Sequence, residues 1–262
     1  MQLERMLQSQ GFGSRKNCRQ LIRSKRVRVG GAMVEDPFVE LQVENLSFQV
    51  DGTVWRYRAK AYAMLNKPAG YECSRSPRHH PSVLSLLPQP LAQRGMQPVG
   101  RLDEDTTGLL LLSDDGEFIH RMISPRHKVP KVYVVHTKHA VSEAQVRALR
   151  TGVMLHDASA AVAAEACDQV GEHMLRLTLT EGRYHQAKRM VAAAGNRVLS
   201  LQRIGIGALL LPSDLPTGAW RWLDADDHGR LFMPSTGPDD AFLLVGCNRD
   251  EISRSPAREC PE

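Results

Sequence analysis

Four consecutive leucines, Leu109 to Leu112, are the strongest apolar run in the chain, and Asp114-Asp115-Gly116 closes them off soon after. An unbroken apolar run of this length, bounded by turn residues, predicts a short strand buried in the core. Elsewhere the period changes. Cys18, Leu21 and Ile22 recur at i, i+3 and i+4, which predicts a helix that starts at Arg15 under a Ser14 cap. Val27-Arg28-Val29 then turns at Gly30-Gly31 into Ala32-Met33-Val34. Tyr62 to Leu65 reads as a strand stopped by Pro68 and Gly70, and Lys131 to Val135 as a strand of strong β-formers. Val141 to Leu149 looks helical, and His173 to Leu179 alternates. A helix is expected from Glu181 through Ala194, stopped by Gly195-Asn196, with a strand returning at Val198 to Leu201.

Strands and helices mix without regular βαβ alternation, so the expected fold class is α+β. A small N-terminal α/β module spans residues 1–58, with residues 45–60, including Asp51-Gly52, as its end and a short linker. A larger domain on a mixed, mostly antiparallel sheet spans 59–235. Residues 236–262 turn Pro-, Gly- and Asp-rich and are expected to be weakly ordered, with Phe242 to Val245 as their one sticky segment.

Composition narrows the function. The chain has 262 residues, enough for one large domain and a small one, and no apolar run long enough for a membrane span. Met1-Gln2-Leu3-Glu4-Arg5 lacks the pattern of a signal peptide, which predicts a cytoplasmic protein. The five cysteines form no C-x-x-C pair, and His79-His80 sits in a Pro-bounded loop, so neither a disulfide framework nor a metal site is expected. Gly205-Ile206-Gly207 lacks the third glycine of a dinucleotide loop, since Leu210 stands there.

The net charge of +5 is concentrated at the N-terminus. Residues 1–30 carry Arg5, Arg15, Lys16, Arg19, Arg23, Lys25, Arg26 and Arg28 against a single acid, Glu4. Arg15, Arg19 and Arg23 follow at i+4 and form a cationic stripe with almost no interleaved acids, which suits a nucleic-acid backbone. This helix, loop, basic helix and hairpin pattern resembles the S4 RNA-binding domain over roughly residues 1–45. No aromatic residue lies on the stripe, so recognition of RNA shape and phosphate is expected rather than base stacking.

Three separated segments carry candidate chemistry. Gly100-Arg101-Leu102-Asp103 leads through Thr106-Thr107 into Gly108-Leu109-Leu110. Lys131-Val132-Tyr133 sets a phenol beside a base, and Glu181 to Met190 forms a cationic segment with Arg183, Lys188 and Arg189. In order and spacing they resemble the motifs of the RsuA-type pseudouridine synthases, from residue 60 to about 225. The resemblance implies Asp103 as the catalytic carboxylate, a nucleophile or the stabiliser of a cationic sugar, with Tyr133 stacking on the base, Lys188 paired to Asp103 and Arg101 filling the space of a flipped uridine. It adds Arg183 and Arg189 to Arg15, Lys16, Arg19, Arg23, Lys25, Arg26 and Arg28 as RNA contacts. Glu104, Asp105, Asp114 and Asp115 are left with loop and turn roles.

The implied reaction moves a uracil from N1 to C5 attachment with no redox change, so no cofactor and no metal are expected. Leu65 to Ser74 and Glu181 to Gln186 look most like the enzymes directed at 16S rRNA, whereas large-subunit relatives carry Asn at Tyr184 and Arg at Lys188. The implied partner is 16S rRNA, free or within a partly assembled small subunit, and a monomer is the family default. A 23S rRNA target and a non-catalytic ribosome-assembly role are the alternatives, the latter opposed by the intact Asp103, Tyr133 and Lys188 set.

Overall fold

The structure is a computed structural model that describes residues 1–234; the expectations for residues 236–262 lie outside the described residues. The chain runs α1 (Leu3–Ser9), α2 (Arg15–Arg23), β1 (Val27–Val29), β2 (Ala32–Met33), β3 (Ser47–Val50), β4 (Thr53–Arg56) and β5 (Tyr62–Lys67). It continues with α3 (Gln89–Gln93), β6 (Gln97–Val99), β7 (Thr107–Ser113), α4 (Gly116–Ile123), β8 (Lys131–Thr137), α5 (Glu143–Thr151), β9 (Ala166–Gly171) and β10 (Met174–Leu179). The last elements are α6 (Gln186–Ala193), β11 (Val198–Ile206), β12 (Leu209–Leu210), β13 (Trp220–Trp222) and α7 (Ala225–Arg230).

In the N-terminal module Ser14 caps α2 by accepting from the Asn17 amide, as its sequence predicts. The apolar faces of α1 and α2 bury Leu3, Met6, Leu7, Cys18 and Ile22 against Val27, Phe48 and Val50 of a sheet ordered β2-β1-β3-β4. Residues 45–60 are therefore more than a linker. Ser47 to Arg56 form a hairpin that turns at Asp51-Gly52 and pairs with β1, with Phe48 and Val50 pointing inward at the strand period.

The larger domain is built on a nine-stranded sheet ordered β13-β5-β7-β11-β8-β10-β9, with β6 also on β7 and β12 also on β11. Every pairing is antiparallel except β7 with β11. The leucine run is β7, in the sheet interior. Leu110 and Leu112 enter one core cluster and Leu109 and Leu111 another, so both faces of the strand are covered. That is why the run shows no alternation. The parallel pairing lasts only from Gln202–Thr107 to Arg203–Gly108. At Gly108 the backbones approach so closely that a Cβ would lie 2.2 Å from the Arg203 carbonyl oxygen, at a φ of +97°.

Two further expectations shift. The helix at 141–149 begins at Glu143, because Ser142 and Gln145 close a capping box ahead of it. β10 is buried at Leu175 through Leu179, on both faces rather than one; its Arg176 is held by Asp168 of β9.

Arg94 joins the two modules. Its Nε pairs with Asp114 at 2.6 Å, Nη1 donates to Gln10 Oε1 at 2.7 Å and Nη2 to the Arg58 carbonyl at 2.6 Å, with the side chain only 3% exposed. Gly11 lies against α3, where a Cβ would meet the Pro90 carbonyl.

Candidate active site

Asp103 stands on the loop that feeds β7. Leu102 is buried before it, and the Thr106 amide donates back to the Asp103 carbonyl at 3.2 Å, closing a tight turn. The turn is clamped from beneath. Lys67, fully buried at the end of β5, donates to the carbonyls of Pro68 (3.0 Å), Glu104 (2.9 Å) and Thr106 (2.9 Å). Burial pushes the Lys67 pKa down, with Glu104, Asp105 and Asp103 among the groups opposing it.

The helix expected from Glu181 begins only at Gln186. His185 takes a left-handed conformation, φ 47°, so Glu181 to His185 form a loop and Lys188 falls in the first turn of α6. This late start aims the segment at Asp103. Lys188 Nζ lies 3.0 Å from Asp103 Oδ2, and His185 Nε2 lies 3.3 Å from Asp103 Oδ1. Lys188 also reaches Asp105 Oδ1 at 2.6 Å, so Asp105 is more than a loop residue: it shares the Asp103 cation. Burial works against the Lys188 ammonium, but hydrogen bonds to Asp105 and Asp103 outweigh it and raise its pKa. Asp105 is likewise held below its ordinary value, burial being overcome by Lys188.

A cleft of about 480 Å³ opens over Asp103, where β7 and β11 part after their short parallel contact. Tyr133 of β8, 9% exposed, forms part of its wall, and Arg101, exposed, forms part of its rim. Lys131, Arg183, His185 and Arg203 line it too. Burial, reinforced by the Arg203 charge, pushes the Lys131 ammonium down to about 8. Tyr184 is 72% exposed and stacks on the His185 ring at 3.8 Å. Among the described residues no cluster of His, Cys, Asp and Glu could hold a metal ion, and no helix is long and apolar enough to cross a membrane.

Asp103, Tyr133, Arg101 and Arg183 thus meet at one cleft, with Lys188 behind Asp103. Arg189 turns away from it, to Asp157 and the Tyr184 carbonyl, and so fastens the loop around residue 157. Arg183 is paired with Glu181 at 2.9 Å. The basic stripe of the N-terminal module is less single-signed than its sequence suggests. Arg19 pairs with the buried Glu4, Lys25 with Glu35 and Arg26 with Asp51. Arg15, Lys16, Arg23 and Arg28 are exposed and have no carboxylate partner among the described residues. Two residues of the site carry no role in the sequence pattern: His185, although it lies inside the third motif, and Lys67, although it lies in the Leu65 to Ser74 segment that resembles the 16S-directed enzymes.

Comparison with known proteins bears on this arrangement directly. Residues 61–193 match the family model described as RNA pseudouridylate synthase, and residues 1–46 match the S4 domain. The ribosomal small subunit pseudouridine synthase A of Yersinia pestis is 39% identical over 235 residues, which cover 89% of this chain and 99% of that protein. The chain belongs to the RNA pseudouridine synthase family. Its likeness to other members runs nearly end to end: the Escherichia coli K12 ribosomal small subunit pseudouridine synthase A is 37% identical, over 87% of this chain and 98% of that one. A solved pseudouridylate synthase crystal structure matches with a TM-score of 0.63 at 32% identity, covering 88% of this chain and 99% of that chain. The N-terminal module is an S4 domain and the larger one has the pseudouridine synthase fold, as their motifs imply. Asp103, Tyr133 and Lys188 all lie in the segment that matches this synthase family; Arg203 lies beyond it.

Proposed function

We propose that this pseudouridine synthase isomerises one uridine of 16S rRNA, and that Asp103 is its catalytic carboxylate. The observation that carries the reading is the Asp103–Lys188 pair, 3.0 Å apart, at a cleft walled by Tyr133. The names of the relatives, which act on the small ribosomal subunit, support the choice of RNA.

The chemistry follows from the placement. The target uridine leaves its stack at a cost of a few kcal/mol. Arg101 at the rim fills the space it vacates, and Tyr133 offers the base a stacking surface. The C1′–N1 bond breaks with its electron pair going to the ring, and the Asp103 carboxylate offsets the positive charge that develops on the sugar. The ring turns, C5 bonds to C1′, the C5 proton departs and N1 gains a proton. Electrons balance without an oxidant, reductant or nucleotide. Lys188, 3.0 Å from Asp103, holds the carboxylate in place throughout. The S4 module supplies the sequence-independent grip through Arg15, Lys16, Arg23 and Arg28. The protein works in the cytoplasm as a monomer, on free or partly assembled small-subunit RNA.

Carbodiimide treatment followed by primer extension on 16S and 23S rRNA incubated with the protein tests this reading. One new stop in 16S rRNA is expected, absent with Asp103→Asn while RNA affinity stays within a few-fold. A stop only in 23S rRNA reassigns the target. No stop in either RNA leaves a binding protein.

A further inference from the structure

The cleft holds two cations that the Asp103 site does not use. Arg203 on β11 lies directly across the ladder from Tyr133 on β8, and Lys131 precedes Tyr133 by two residues, so the three share one face of the sheet. All three line the cleft. Arg203 is 2% exposed; its Nε donates to the Leu109 carbonyl at 2.7 Å, but its buried Nη2 has no hydrogen-bond partner. Lys131 gives one proton to the Val129 carbonyl at 2.9 Å and keeps two more. Among the described residues no carboxylate stands within ion-pair distance of either cation. The acids of the cleft are already engaged, Glu181 with Arg183 and Asp103 with Lys188 and His185. Neighbouring cations without a counter-charge are costly to bury, and an electron-rich ligand relieves that cost.

Lysine and arginine are donors only, so this place accepts hydrogen-bond acceptors and repels donors. Uracil presents carbonyl oxygens at both C2 and C4, whereas cytosine carries an amine at C4. When the C1′–N1 bond breaks, the electron pair left on N1 spreads onto those two oxygens. The turn that brings C5 to the place N1 occupied runs about the N3–C6 line and exchanges the two carbonyls. Two cations, one for each oxygen, hold the ring equally well before and after that turn. Depth agrees with this division: exposed Arg101 stands at the rim, where the uridine leaves its stack, and buried Arg203 stands where the base would stack on Tyr133.

We propose, on the strength of the isomerase reading above, that Lys131 and Arg203 form the uracil site of this cleft: they select uracil over cytosine and carry the negative charge of the detached ring. Single-turnover conversion of a 16S rRNA fragment, with competition by the same fragment bearing cytidine at the target, tests it. Wild type should favour the uridine fragment by about tenfold or more. Lys131→Met should slow conversion about 10- to 100-fold with KM within about threefold, and should bring the two fragments close to equal competition. Lys131→Arg should restore both rate and preference. Should Lys131→Met melt early, Lys131→Gln removes the charge while keeping a donor for Val129 and gives the same reading. A folded, neutral Lys131 variant that converts uridine at the wild-type rate and still disfavours cytidine overturns this inference and leaves Asp103 in place. A wild type that forms no pseudouridine in any rRNA overturns both.

Discussion

Lys188 lies 3.0 Å from Asp103 and is shared with a second carboxylate, Asp105, at 2.6 Å. One ammonium thus serves two acids, and only one of them faces the cleft. The pair predicts unequal consequences. Lys188→Met should lower kcat about 100-fold, because Asp103 loses its counter-ion and its aim. Asp105→Asn should change kcat less than about threefold, since the Asp105 carboxylate is 61% exposed and does not line the cleft. Steady-state kinetics on the 16S fragment read both, and equal losses would make Asp105 a partner in the chemistry.

Lys67 predicts a coupled loss of stability and activity. Its acceptors include the Glu104 and Thr106 carbonyls of the Asp103 turn, and Lys67→Met takes the ammonium from all three carbonyls; Glu104 keeps the Gly70 amide at 3.1 Å, while the bond to the Thr106 carbonyl, the buried one of the three, is lost. Urea unfolding should show a loss of about 2–4 kcal/mol. Turnover should fall as well at temperatures where the variant is still folded, because the turn that carries Asp103 loosens.

The N-terminal module separates two kinds of arginine. Changing Arg15, Lys16 and Arg23 to Ala should weaken RNA binding and reduce the slope of log affinity against log salt by up to about 2–3, at roughly 0.7–0.9 for each phosphate contact. Arg19→Ala should instead lower the melting temperature, because it strands the buried Glu4, whose pKa Arg19 holds down. Filter binding across a salt series, together with thermal melts, distinguishes the two.

Much of this was legible in the chain and some was not. The Leu109–Leu112 strand, the Ser14 cap and the meeting of Asp103, Tyr133 and Lys188 depend on local patterns or on motif order. The pairing of Arg19 with Glu4 depends on how α1 and α2 cross, which no spacing within α2 reveals. Asp105 and Lys188 are 83 residues apart, so their contact exists only in the fold. The hairpin at Ser47–Arg56 did show an alternating Ser-Phe-Gln-Val, but Asp51-Gly52 reads equally well as a linker. The late start of α6 comes from the left-handed backbone at His185, a residue type that gives little local warning.

Acid should loosen the loop beside the cleft. Glu72 accepts the amides of His79, Arg78 and His80, which hold its carboxyl at about 2, below the ordinary 4.5. A carboxylate depressed in this way contributes its stabilisation above about pH 4.5 and loses it as the pH falls towards 2. The amide resonances of Arg78, His79 and His80 should therefore titrate together with a midpoint near 2, and Glu72→Gln should broaden them at neutral pH.

The buried Arg94 has a consequence for how a target is chosen. Because it fastens Gln10 and the Arg58 carbonyl of one module to Asp114 of the other, the distance from the basic helix to Asp103 is set by the protein rather than by a hinge. On the isomerase reading proposed above, the molecule would act as a caliper: a stretch of rRNA gripped at one jaw would offer the other jaw only the nucleotide at the matching span, and uridines nearer or farther along the strand would pass out of reach.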